Sequence, residues 1–183
     1  MNDDNIVREL LASGKTWKSY AESRYDPLLY AKRHDPLSYF SDVVNSPTQS
    51  QNLVLLSQFS SDLANNTLPN FSFVIPNLVN DAHSGPLQAA DVWLQDNIAP
   101  LISNAAFQKD GLLIIVFDEA ATSDATHGGG HVAALIISAK AKQGFQSTTL
   151  YQHESTLRLI LDTLGAPNHP GASSTAPTMG EFF

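Results

Sequence analysis

The chain has 183 residues, 43% of them hydrophobic and 15% charged, and its 18 acidic and 10 basic side chains leave a formal charge of -8. That length and composition fit one globular domain with a real core. The acidic balance excludes a basic nucleic-acid footprint, and the absence of cysteine excludes disulfides, thiolate metal sites and a cysteine nucleophile. Charge is uneven: residues 1–60 hold six Lys and Arg against seven Asp and Glu, and residues 61–183 hold four against eleven. An acidic cleft around a divalent cation fits that balance, and so does a merely acidic surface. No apolar stretch approaches the roughly 18 residues that span a membrane. The start Met1-Asn2-Asp3-Asp4-Asn5 is acidic and polar, unlike a signal peptide.

In chain order, residues 5–12 read as a short amphipathic helix. Ile6, Val7, Leu10 and Leu11 make its apolar face, Asp3 or Asp4 can cap it, and Gly14 ends it. Residues 16–21 alternate and predict a strand. Residues 22–50 hold three prolines and Tyr25, Tyr30 and Tyr39, which predict a long, ordered, irregular loop. A helix is predicted over 56–64 with Phe59 and Leu63 inward, then a strand over 71–75 closed by Pro76. The turn-rich loop 77–86 leads to a helix over 87–102, with Ala90, Trp93, Leu94 and Ile98 on one face and Pro100 as a breaking point. Two apolar runs, 112–117 and 132–137, predict strands buried on both faces. A helix over 152–164 stops at Gly165, and the loop-rich tail 166–183 ends in apolar residues able to dock on the body. Strands alternating with helices imply an α/β domain with a mostly parallel central sheet flanked by helices.

The chemistry lies at strand ends. Asp118 and Glu119 follow the run 112–117, at the edge where open α/β sheets bind ligands. Adjacent carboxylates repel unless a cation or a shared proton relieves them. They are candidate oxygen ligands for a hard divalent cation, or one ligand plus a general acid/base; a solvated strand end is the plainer reading. Asn80, Asp81 and His83 follow another strand and should open onto the same edge. On extended backbone Asp81 and His83 would share a face, and Asn80 can bind a phosphoryl oxygen or a metal; the plainer reading is a set of turn residues. In His127-Gly128-Gly129-Gly130-His131, successive N–H groups can form an anion nest, with His131 better fixed than His127. His34 beside Arg33 can bind a phosphate, although its spacing alone reads as an ordinary loop histidine. His153 is expected to pack or cap, and Arg158 to make a structural ion pair. No Gly-x-Ser-x-Gly elbow, P-loop or dinucleotide fingerprint is present, and none of Thr122, Ser123 and Thr126 stands out as a nucleophile.

Several segments recur in an order that resembles a known family. They are Trp17-Lys18-Ser19-Tyr20, Lys32-Arg33-His34-Asp35-Pro36, Pro76-Asn77-Leu78-Val79-Asn80-Asp81-Ala82-His83, Asp91-Val92-Trp93-Leu94, Val116-Phe117-Asp118-Glu119, the Gly128–Gly130 run and Tyr151-Gln152-His153-Glu154-Ser155-Thr156-Leu157-Arg158. Together they resemble the phosphoesterase family of bacterial acid phosphatases and phosphatidylcholine-type phospholipases C, within the alkaline phosphatase superfamily. The resemblance implies a metal-dependent phosphoester hydrolase with an alkaline-phosphatase-like sheet. Asp118 and Glu119 match the family's acidic metal pair, His83 a histidine lining the phosphate site, and His34 another active-site histidine. His131 lies where the superfamily often places a metal or phosphate contact. Family members also carry an earlier Glu-Asn-His-like metal motif and then a Ser or Thr nucleophile, which this sequence lacks.

The expectation is therefore one domain over 1–183, N-terminally incomplete, with a phosphoester substrate, a divalent metal ion of unknown identity and no nucleophile of its own. Weak or no turnover by the chain alone is expected, as is self-association through an exposed sheet edge. The resemblance implies a secreted or periplasmic location. The alternatives are a non-catalytic metal- or phosphate-binding module, a degenerate paralogue, or a metallohydrolase that activates water directly.

Overall fold

A computed structural model describes residues 3–183; Met1 and Asn2 of the acidic start lie outside them. In chain order the elements are α1 (Ile6–Ala12), β1 (Trp17–Ala21), α2 (Ser41–Val44), β2 (Leu53–Leu55), α3 (Leu56–Ala64), β3 (Phe71–Ile75), α4 (Leu87–Asn97), α5 (Ala99–Ile102), α6 (Ala105–Asp110), β4 (Leu113–Val116), β5 (Ala134–Ile137) and α7 (His153–Leu164). Helix α1 is capped by Asn5 rather than by Asp3 or Asp4: its side-chain oxygen accepts from the N–H groups of Val7 and Arg8.

Strands β2, β1 and β3 form a parallel sheet in that order. Side chains alternate across it. Tyr20 packs on one face with Phe59 and Leu63 of α3 and Trp93 of α4. Trp17 packs on the other with Ile6, Val7 and Leu10 of α1 and Leu161 of α7. The layers are helix, sheet, helix, as an α/β domain requires. On the α3 side, Asp62 accepts from Lys18 at 2.5 Å, Tyr20 at 2.7 Å and Gln58 at 2.8 Å. Burial raises the Asp62 carboxyl, but these donors outweigh it and leave the pKa lowered.

The expectation of one mostly parallel sheet is corrected in its second half. Strands β4 and β5 pair with each other antiparallel and form a separate two-stranded sheet, with Leu113 opposite Ile137. Parallel pairing needs a crossover element, and the segment between these strands holds only a 3-10 turn at Thr126–Gly128. Nor are the runs buried on both faces. Val116 is 36% exposed and Leu135 49%, because a two-stranded sheet has neighbours on few sides.

The helix expected over 87–102 breaks at Ile98, since Pro100 lacks the N–H that an uninterrupted helix would use and fits only the first turn of α5. The short α6, capped by Asn104, has no expectation to match. The tail docks as its apolar end implies: Met179 is buried, and the Phe182 ring meets Phe145 edge-on at 5.4 Å. Arg158 pairs with Asp162 at 3.7 Å and also donates to the Ala176 carbonyl at 2.6 Å, tying the tail to α7. Among the described residues, no helix is long and apolar enough to cross a membrane.

Candidate active site

The site is built from a buried carboxylate outward. Asp35 is fully buried, and its side chain accepts from Ser19 of β1 at 2.9 Å, Tyr30 at 2.9 Å and Arg24 at 2.6 Å. Its carbonyl accepts from Ser38 at 2.7 Å. Burial, and then the Asp35 charge, push the Tyr30 hydroxyl pKa up, so it stays a donor. Pro36 holds Asp35 out of the helical region, and a 3-10 turn over Lys32–His34 stands just before it. This hub fixes the backbone that presents Arg33 and His34.

The second contribution is the loop after β3. Glu22, just past β1, accepts from the Asn77 N–H at 2.9 Å and from the Asn80 side chain at 3.0 and 3.1 Å. Asn80 is therefore anchored to Glu22. Asp81 and His83 do not lie on extended backbone as the spacing suggested, because Ala82 between them has φ +67°. A left-handed non-glycine residue costs on the order of 1–3 kcal/mol and concentrates at functional sites. Here the turn lets Asp81 Oδ1 accept from the His83 N–H at 2.8 Å while Oδ2 faces His34. Gly85 is required in the same loop, since a Cβ there would lie 2.1 Å from the Val79 carbonyl oxygen.

These pieces converge on His34. Its Nδ1 is 3.2 Å from the buried Asp81 Oδ2, for which no well-angled hydrogen bond is formed, and its Nε2 is 4.0 Å from Asp118 Oδ2. The His83 ring stands edge-on to it at 5.9 Å, and Arg33 Nη2 lies 3.5 Å from His83 Nε2. His34 thus presents one ring nitrogen to each of two carboxylates, Asp81 and Asp118. Two imidazoles and a guanidinium beside an exposed carboxylate suit an oxyanion held on one side and a cation on the other.

Asp118 is 73% exposed and Glu119 lies beside it in solvent. Among the described residues no group of three or more His, Asp and Glu side chains closes round a metal. In donor chemistry, Asp118 and Glu119 are hard carboxylates of the kind a magnesium-like ion takes one or two of, beside waters and phosphate oxygens. His131 takes no part in the His34 contacts; its N–H donates to Asp124 Oδ2 at 2.9 Å.

Asp124 is a residue the sequence reading passes over. Its carboxylate accepts from the N–H groups of His131 and Thr126, which hold its pKa down to about 2. The same loop needs Gly130, at φ +78°, where a Cβ would lie 2.5 Å from the Ala120 Cβ. Because the folded pKa is depressed, this brace is complete above the ordinary carboxylate range near 4. It is lost as pH falls through about 2. Carboxyl carbon NMR is expected to show Asp124 still ionised at about pH 3, where an unbraced carboxylate is mostly protonated; a midpoint near 4 would contradict the brace.

His153 is also misjudged from sequence: it neither packs nor caps, and its Nε2 lies 2.8 Å from the Asp118 carbonyl. Asp35 and Gln152 stand inside the quoted segments with no role assigned to them, and Glu22 stands just outside.

A family model described as the Phosphoesterase family matches residues 1–167. A probable acid phosphatase of Kluyveromyces lactis is 31% identical, over 87% of this chain and 41% of that protein. An acid phosphatase of Aspergillus fumigatus is 30% identical, over 76% of this chain and 31% of its own length. A phosphatidylinositol-3-phosphatase of Mycobacterium tuberculosis is 29% identical, over 98% of this chain and 58% of its own length. The chain thus spans less than two thirds of each of these relatives.

Proposed function

The chain belongs to the Phosphoesterase family, and we propose that it carries the phosphate-binding half of a metal-dependent phosphoester hydrolase site. The observation that carries this reading is the His34 ring held between Asp81 and Asp118, with His83 and Arg33 alongside. Arg33, His34 and His83 would bind non-bridging phosphoryl oxygens, where donors placed before the reaction cost little reorganisation. Asp81 would orient the His34 ring through its Nδ1 side. Asp118 and Glu119 would hold a divalent cation, which when bound neutralises charge on the phosphoryl group. Water would attack phosphorus as the ester P–O bond breaks; the leaving-group oxygen would take a proton from His34 Nε2 and the water's proton would pass to solvent.

Weak turnover by this chain alone belongs to the reading. The side chains it brings together bind and polarise a phosphoester, and none of them is a hydroxyl nucleophile. The same fact favours a second reading, a module that binds phosphate without turnover. Hydrolysis of p-nitrophenyl phosphate by the 183-residue chain separates them. Slow hydrolysis that stops with a chelator and returns with magnesium or manganese is expected. Chelator-insensitive hydrolysis would overturn the metal role, and no hydrolysis with intact phosphate binding would leave only the binding module.

A further inference from the structure

We propose that Gln152 and His153 are positioning residues that clamp the loop 118–131 to the body of the domain, and so hold Asp118 in register with His34. The proposal rests on the function proposed above. Two consecutive side chains at the start of α7 reach two separated points of this loop. His153 Nε2 lies 2.8 Å from the Asp118 carbonyl, and Gln152 Nε2 lies 3.1 Å from the His127 carbonyl. A carbonyl oxygen only accepts, so His153 carries its proton on Nε2 and the Gln152 amide turns its NH2 to the loop. Gln152 is the residue preceding α7, yet it makes no capping bond. Its amide goes to the loop instead of the free N–H groups of its own helix.

The clamp has a rigid base. Leu159 and Leu161 of α7 are buried, and Leu161 packs into the core cluster that holds α1 and Trp17. The loop has its own inner brace in Asp124 and in the Ala120 N–H bond to the Gly129 carbonyl at 2.8 Å. Gln152 and His153 join that braced unit to the core. Without them, the loop would be tied to the body mainly through the strands at its ends. Groups that orient a ligand-bearing segment typically change metal affinity or activity by about 10–100-fold when removed.

The test compares the wild-type chain with Gln152→Ala, His153→Ala and His153→Gln, using amide hydrogen exchange in metal-free buffer and then Mn2+ binding. Gln at 153 keeps an N–H donor at a similar reach. His153→Ala is expected to speed exchange across 118–131 by roughly tenfold, with α1 and β1 unchanged, and to weaken Mn2+ binding by about 10–100-fold. Gln152→Ala should loosen the loop around residue 127, and His153→Gln should restore most of both properties. Unchanged loop exchange in both alanine variants would overturn the clamp, and so would faster exchange throughout the chain or failure of the Gln rescue. A loop that loosens as expected in a chain that never binds Mn2+ would count against the proposed function and leave the clamp standing.

Discussion

Replacing Asp35 by alanine is expected to destabilise the fold by about 3–5 kcal/mol, the cost typical of breaking a buried ion pair from one side. Arg24 would be left with its guanidinium 7% exposed and no carboxylate to face, and Ser19 and Tyr30 would lose their common acceptor. For a chain of this length the melting temperature should fall by on the order of 10 °C, as read by thermal unfolding. The loss comes from stranding a charge rather than from the worth of the pair itself. Adding Arg24→Met to Asp35→Ala should therefore recover part of the stability, because a neutral pair leaves no unpaired buried ion. A melting temperature unchanged by Asp35→Ala would mean that the hub does not hold the 3-10 turn carrying His34.

Turnover should respond most to His34 and Asp118. His34→Ala removes the only imidazole that faces both Asp81 and Asp118 among the described residues. Positioned proton transfer is commonly worth about 100- to 10,000-fold in rate, and the already slow kcat should fall towards the uncatalysed rate; a modest fall in melting temperature is expected with it, since the 17%-exposed His34 ring faces the buried Asp81 Oδ2. Asp118→Ala should lower kcat comparably and remove the stimulation by divalent metal. Its side chain is mostly exposed, so its removal leaves the core untouched. Comparable turnover in either variant and in wild type, measured at saturating p-nitrophenyl phosphate, would contradict these roles.

What the sequence makes legible is what local physics decides. The helix α3 and the strand β3 match their expected limits because apolar spacing and terminators agree: Phe59 and Leu63 face inward, and Pro76 ends the strand. The acid pair at 118–119 is visible because carboxylates after an apolar run stand out. What covers that run is not local. The same leucines and isoleucines suit a fully buried strand and a half-exposed antiparallel pair, so the expected single parallel sheet separates into two. The site shows the same division. Asp81 and His83 are visible as candidates, but their arrangement depends on a left-handed turn at Ala82 that alanine does not announce. Asp35 reads as an ordinary residue before Pro36, and only the convergence of Ser19, Arg24 and Tyr30 makes it the support of His34. The link from His153 to Asp118 spans 35 residues and leaves no pattern in either segment.

The most direct measurement is a titration of the 183-residue chain with inorganic phosphate in the presence of magnesium, following the histidine ring resonances by NMR. Saturable shifts at His34 and His83 are predicted, with none at His169, whose ring is engaged with Asp162 at 2.7 Å. Shifts that do not saturate, or that touch His169 as strongly as His34, would contradict a phosphoester site at this cluster.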